Sequence, residues 1–345
     1  MKSKIYLGWD IGGANTKISV FDSNFRIVEL HIKNMQIWNN LSEIIYLFKN
    51  ISDIYKSYDI YNFITFTAES CDNFQNRKSG ILLLLDYCNS YLSGDIKYYC
   101  NNDTYINYKN AIEFPNKLYS TNWILTSKFL NKINNINFII DIGSTTTDFI
   151  YKDMNIDDNI NDYKRLINKT LLYLGVVRTP IPMLTNEVKF RNINISLVNE
   201  VFATTGDIFN ITNDIDFTNS QYIGADNLAL TKENSFIRLA RLLGKDYKKS
   251  DKNYLIDMSF YIKRLFIKKI FNNLNLLTKI KNKELIMTSI GEGSFLIKEI
   301  CELYNIKYMP IENENYLSIK NIKKDLVYNN FTSALVFNNY INKKL

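Results

Sequence analysis

With 345 residues, 46% of them apolar, the chain is long enough for two domains of ordinary size, each with its own core. Its 42 Lys and Arg against 35 Asp and Glu leave a net charge of +7, which favours anionic ligands, but the lysines are scattered between Asn and Ile and argue against a nucleic-acid partner. Cys71, Cys88, Cys100 and Cys301 show no Cys-x-x-Cys spacing for zinc or redox work, and the longest apolar run, 81–85, is far below the ~20 residues that span a bilayer, so a cytoplasmic protein with no membrane partner is expected.

Residues 5–9, 16–21 and 26–32 are expected as three successive strands, joined by a glycine loop and by the turn Asp22-Ser23-Asn24. A helix is expected from Ser42, a good N-cap residue, with Ile44, Ile45, Leu47, Phe48, Ile51 and Ile54 at helical spacing. A strand over 61–66, a helix over 80–92, a strand over 96–100 and a helix over 121–133 complete the order β-β-β-α-β-α-β-α. His31, the single histidine, sits in the third strand with no carboxylate or Cys pattern beside it. It is expected at the surface or satisfied within the strand, so acid-base work falls to Asp, Glu, Lys or Tyr.

The order then restarts: strands over 138–141 and 149–151 flank a second glycine loop as the opening strands flank the first. Residues 152–161, rich in Asp and Asn, read as a solvated loop. Helices are expected over 231–243 and 255–276, followed by a strand over 285–289, the loop Gly291-Glu292-Gly293, a helix over 295–304, a short strand near 307–309 and a terminal helix over 332–340. The chain thus reads as two α/β domains of related plan, 1–134 and 135–326, with a helix in 327–345 packing back on the first.

The loops carry the chemistry. Asp10-Ile11-Gly12-Gly13-Ala14-Asn15-Thr16-Lys17 and Asp141-Ile142-Gly143-Ser144-Thr145-Thr146-Thr147-Asp148 both follow an apolar run and open with Asp-Ile-Gly. Of 12 glycines, six (Gly8, Gly12, Gly13, Gly143, Gly291 and Gly293) lie in or beside these loops and the third one. Glycine there lets backbone N–H groups approach an anion with no side chain in the way. Gly12, Gly13, Asn15, Thr16, Lys17, Gly143, Ser144, Thr145, Thr146, Gly291 and Gly293 are therefore the expected phosphate-binding set. Asp10 and Asp141, each ending a strand, are placed to hold Mg²⁺, directly or through water, while Thr16 and Lys17 supply a donor and a positive charge. Asp148 reads as a third carboxylate or as the residue that opens the next strand, and Trp9 as a site aromatic or a core residue.

These paired loops resemble the phosphate motifs of the acetate and sugar kinase, heat-shock chaperone and actin superfamily, and Ser289-Ile290-Gly291-Glu292-Gly293 is similar to its third, nucleoside-facing loop. The resemblance implies two ribonuclease-H-like, actin-like ATPase domains with a ligand cleft between them. A narrower likeness lies in Thr67-Ala68-Glu69-Ser70-Cys71-Asp72 with Arg77, in Leu174-Gly175-Val176-Val177-Arg178-Thr179-Pro180, in Glu200-Val201-Phe202-Ala203-Thr204-Thr205 and in Ile237-Arg238-Leu239-Ala240-Arg241-Leu242-Leu243-Gly244. These segments resemble a small methanogen and methylotroph family labelled hydantoinase/oxoprolinase-like. Ile223-Gly224-Ala225-Asp226 stands where that family has a Thr-Ala-Asp-Gly-like segment.

The family resemblance implies a transferase of methanofuran biosynthesis. It would couple [5-(aminomethyl)furan-3-yl]methyl diphosphate with γ-glutamyltyramine through an ether bond and release diphosphate, with Mg²⁺ and without ATP. Asp10, Lys17, Asp141 and Glu69 are the implied catalytic set. Glu69 and Asp72 would bind the substrate ammonium or serve as the base, and Arg77 would orient them or contact phosphate. The plainer alternative is that these three form a structural ion-pair network. Arg178 is matched to the glutamyl carboxylate or the diphosphate. Two rivals remain open at the level of sequence: an ATP-dependent small-molecule kinase or ATPase, and a nucleotide-gated switch or filament protein. Oligomeric state leaves no mark in the sequence.

Overall fold

The computed structural model describes residues 2–156, 160–218, 222–278, 284–314 and 316–344. Two α/β units interleave along the chain: Met1–Ile139, Ile150–Asn168 and Met309–Leu345 form the first, Ile140–Phe149 and Lys169–Tyr308 the second. The sequence suggested single cuts after 134 and 326 instead.

The first unit is built on a six-stranded sheet. Strands β1 (Lys4–Ile11), β2 (Asn15–Phe21) and β3 (Ile27–Asn34) form an antiparallel meander. Helix α1 (Ser42–Ile54) then leads to β4 (Asp59–Phe66), parallel to β1, and α2 (Arg77–Tyr91) leads to β5 (Asp95–Tyr99), parallel to β4. A short β6 (Tyr105–Ile106) closes the edge, giving the order β3-β2-β1-β4-β5-β6. Its first five strands, with β2 antiparallel to the parallel set β1, β4 and β5, follow the ribonuclease-H-like plan expected. Helices α3 (Tyr108–Glu113) and α4 (Asn122–Leu130) follow.

Local chemistry accounts for two departures from expectation. Ser42 is the first helical residue rather than the cap, because the Asn40 carboxamide accepts hydrogen bonds from the Ser42 N–H (3.1 Å) and hydroxyl (2.6 Å) and holds a turn ahead of the helix. Trp9 is a core residue, not a site aromatic: it is fully buried, donates from Nε1 to Asn62 Oδ1 at 3.0 Å and meets Phe48 edge-on.

Strand β7 (Phe138–Ile142) and β8 (Thr147–Tyr151) open the second sheet, whose order is β13-β12-β7-β8-β9. After β8 the chain forms α5 (Asp162–Ile167) inside the first unit, then β9 (Leu171–Leu172), the hairpin β10 (Glu187–Phe190) and β11 (Ile193–Ser196), and α6 (Thr205–Ile211). Helices α7 (Lys232–Leu242) and α8 (Lys252–Thr278), strand β12 (Ile286–Ile290), α9 (Ser294–Leu303) and β13 (Lys307–Tyr308) complete the unit. Of the expected solvated loop 152–161, residues 157–159 lie outside the described residues.

Helices α10 (Lys324–Asn329) and α11 (Phe331–Asn342) belong to the first unit, and α11 packs on β1. Contact there is close enough that a Cβ on Gly8 would fall 2.0 Å from the Ser333 carbonyl oxygen, and the Ser19 and Ser333 hydroxyls bond at 2.7 Å. Among the described residues, no helix is long and apolar enough to cross a membrane.

Candidate functional site

The two Asp-Ile-Gly loops fold into the same turn. In the first, Gly12 N–H donates to Asn15 C=O at 3.0 Å, and in the second Gly143 N–H donates to Thr146 C=O at 2.9 Å. Each hairpin therefore spends its outer N–H on closing the turn. The inner N–H groups of Gly13 and Ala14, and of Ser144 and Thr145, find no backbone acceptor among the described residues. Successive amides of this kind suit an anion. In the first hairpin Asp10 stands across from Lys17 in the β1–β2 register. Thr16, expected as a phosphate donor, is fully buried opposite Ile11, and its hydroxyl has no hydrogen-bond partner among the described residues.

The segment after β4 completes the first hairpin's surroundings. Thr67 N–H donates to Ile11 C=O at 2.9 Å, and a Cβ on Gly13 would fall 2.6 Å from Cys71 Sγ. A side chain at 13 would have to displace the Cys71 thiol.

The second hairpin is buttressed by the Leu174 to Pro180 segment, whose role was not legible from the sequence. Val176 N–H donates to Gly143 C=O, and Val177 and Arg178 N–H both donate to Ser144 C=O. Gly175 lies so near that a Cβ would sit 2.3 Å from Thr145 N. Thr179 and Thr205 hydroxyls tie this segment to the start of α6, each donating to Gly175 C=O. The third loop joins the same assembly: Gly293 N–H donates to Ile142 C=O at 2.9 Å, and at Gly291, with φ +85°, a Cβ would fall 2.4 Å from Asp141 Oδ1. Asp141, Gly143, Ser144, Thr145, Thr146, Gly291 and Gly293 are thus brought together in one unit, with the exposed Arg178 side chain on the buttress. Asp148 is a nearly buried strand residue paired with Leu171.

A buried charge cluster forms around Glu69 in the first unit. Glu69 is fully buried; Oε1 accepts from the Ser120 hydroxyl at 2.8 Å, and Oε2 has no hydrogen-bond partner among the described residues. Burial pushes its carboxyl above the usual range, against the pull of its own backbone N–H, the Ser120 bond and the nearby Arg77 charge. Arg77 is itself held by Asp162 of α5 at 2.5 Å, and Arg165, 2% exposed, lies over the Trp123 ring at 4.2 Å and 4.0 Å from Asp162. Asp72, by contrast, is exposed. Arg77 pairs with Asp162, a residue outside the network expected from the sequence, while its charge also acts on Glu69.

Ser120, Asp162 and Arg165 went unread in the sequence. Asn161 caps α5 by accepting from Lys164 N–H at 3.0 Å, and that capping residue ahead of an acidic first turn was the one signal available. His31 bonds Tyr55 at 2.9 Å and lies 3.4 Å from Glu29, so a carboxylate does stand beside it; Tyr55 also donates to Glu29 at 2.6 Å. Burial lowers the imidazole pKa, against Glu29, and fits a satisfied strand residue.

Asp226 and the α7 segment belong to a buried clamp in the second unit. Arg238, fully buried, donates to Asp207 at 2.8 Å and to Asp226 at 2.9 Å, as well as to Leu228 and Ala229 carbonyls. Gly224 lies against its guanidinium, where a Cβ would fall 2.2 Å from Cζ. Arg238→Met leaves the fully buried Asp207 without its cation, and a loss of about 3–5 kcal/mol in urea unfolding is expected. A loss under about 1 kcal/mol would mean that the clamp is not what supports α6 and α7.

For magnesium, the donors at the hairpins are carboxylate and hydroxyl oxygens, the type this cation takes, and it is commonly bound by one or two carboxylates with waters and substrate phosphates. Among the described residues no three His, Cys, Asp or Glu side chains gather as a ready-made cage. Asp10 and Asp141 fit that mode as single carboxylates, each beside a glycine turn.

No family model matches the chain. It is 30% identical over 304 residues to the (4-{4-[2-(gamma-L-glutamylamino)ethyl]phenoxymethyl}furan-2-yl)methanamine synthase of Methanocaldococcus jannaschii, a match covering 87% of this chain and 89% of that protein. A protein of the same name from Methanococcus vannielii is 31% identical over 213 residues, covering 60% of this chain and 93% of its own. Solved structures similar to it include the PilM-PilN type IV pilus biogenesis complex, at 11% identity and TM-score 0.48 over 96% of this chain and 97% of that chain. Another is the activator of 2-hydroxyisocaproyl-CoA dehydratase from Clostridium difficile with bound ADPNP, at 12% identity and TM-score 0.40 over 99% of this chain and 96% of that one.

Proposed function

The chain belongs to the (4-{4-[2-(gamma-L-glutamylamino)ethyl]phenoxymethyl}furan-2-yl)methanamine synthase family, and we propose that it makes that ether in methanofuran biosynthesis from [5-(aminomethyl)furan-3-yl]methyl diphosphate and γ-glutamyltyramine. The observation that carries this reading is the 30% identity across 87% of the chain. In the reaction the phenol oxygen bonds to the furan-methyl carbon, the bond from that carbon to diphosphate oxygen breaks with its electrons, and the phenol proton passes to a base. The enzyme is a transferase with diphosphate as the leaving group.

The hairpins are suited to the leaving group. Negative charge builds on the departing oxygens, and preorganised amides worth most in the transition state lower the barrier. In this reading Gly12, Gly13, Asn15 and Lys17 of the first loop, Gly143, Ser144, Thr145 and Thr146 of the second and Gly291 and Gly293 of the third bind diphosphate. Arg178 binds the glutamyl carboxylate or the diphosphate. Asp10 and Asp141 would hold Mg²⁺, which supplies charge neutralisation on the diphosphate when bound. Glu69 accepts the phenol proton through Oε2, the carboxylate oxygen that has no hydrogen-bond partner among the described residues.

Nucleotide has no part in this chemistry. Purified protein with Mg²⁺, the furanmethyl diphosphate and γ-glutamyltyramine is expected to yield the coupled ether and diphosphate by mass spectrometry with no ATP present. Product that forms only with ATP would replace this reading with an ATP-dependent one.

A further inference from the structure

Helix α5 meets the Glu69 surroundings from a distant part of the sequence. Arg77 and Asp162 are 85 positions apart, yet their side chains form the ion pair next to Glu69, and Arg165 one turn on is stacked over Trp123. On the other side Ser120, held at φ +48°, donates to Oε1. A non-glycine residue in that region is strained, and strain of this kind is retained where surrounding structure fixes a side chain for use. The remaining oxygen, Oε2, is buried with no hydrogen-bond partner among the described residues.

We infer that Asp162 is a positioning residue for Glu69: by holding Arg77 it fixes how much positive charge Glu69 faces, so that Oε2 is kept as an acceptor for the phenol proton rather than consumed in an ion pair with Arg77. The inference rests on the synthase reading. If Asp162 were absent, Arg77 would be free to turn to the unpartnered oxygen, and a carboxylate tightly paired with guanidinium is a poor base. Ser120 restricts the carboxyl to one orientation, and the Arg165 to Trp123 stack anchors α5 on the same wall.

Among the described residues, the charged and titratable groups around Glu69 are Arg77 from α2, Asp162 and its neighbour Arg165 from α5, and Tyr119 from the segment before α4. Arg77 lowers the Glu69 pKa and Asp162 raises it, so removing the two members of one ion pair has opposite consequences. That opposition separates positioning from simple support.

The test is a titration of the Glu69 carboxyl in the full chain by ¹³C NMR, with carboxyl-labelled glutamate and the signal assigned by its loss in Glu69→Gln. The midpoint is expected to fall by about one pH unit in Asp162→Asn and to rise by about one unit in Arg77→Gln. The acid limb of kcat for ether formation should move with it in each variant. Shifts of the same sign, or no shift beside a shared drop in melting temperature, would overturn the inference. So would NMR midpoints that move while the pH–rate profile stays fixed. A wild-type protein that makes no ether without nucleotide would sink the synthase reading instead, and the NMR midpoints would still report whether Asp162 sets the ionisation of Glu69.

Discussion

Asp10→Asn and Asp141→Asn are each expected to lower ether formation by about 10³-fold or more while leaving the fold intact. Asparagine keeps the shape of the side chain, so the turns closed by Gly12 and by Gly143 are retained; what is lost is the negative charge beside each hairpin. The Asp141 case carries a second constraint. Its Oδ1 lies where a Cβ of residue 291 would be, so the carboxylate is packed against the third loop and a larger replacement would disturb two loops together. Single-turnover product by mass spectrometry, with melting curves on the same samples, reads activity and folding separately. A near-normal rate in either variant would remove that aspartate from magnesium binding.

Glu69→Gln separates function from stability. Loss of the proton acceptor is expected to lower kcat by about 10²–10³-fold, with KM for γ-glutamyltyramine changed much less. Stability moves in a pH-dependent way. Burial raises the folded-state pKa of Glu69 above its unfolded value of about 4.3, so the folded protein holds that proton more tightly. The resulting stabilisation is complete below the unfolded pKa and is lost as pH rises through the raised folded value. Glutamine does not titrate, so the melting temperature of the variant should gain on the wild type as pH rises from about 4.3 through the raised folded value. Parallel curves of melting temperature against pH would show that Glu69 is not desolvated in solution.

The strand order and both glycine turns were legible because they rest on local rules. Apolar runs of strand length, an Asp-Ile-Gly break and a return strand specify a hairpin within about a dozen residues. The helices at 231–243 and 255–276 were legible for the same reason, and the structure places α7 and α8 there. The β10–β11 hairpin was not. Its turn residues Arg191 and Asn192 both take positive φ without any glycine to announce it.

Residue type and local spacing identified the three loops, since a glycine after a strand carries its chemistry with it, while Glu69 and Arg77 were marked by the family resemblance of their segment. Tertiary structure alone decided their circumstances. It took Asp72 out to solvent, gave Arg77 to Asp162, left Glu69 with one oxygen unpartnered among the described residues, and set Gly175 under the second hairpin. Burial and charge pairing depend on distances in space between residues far apart in the chain, and those distances fix whether a carboxylate is an ion-pair partner or a base.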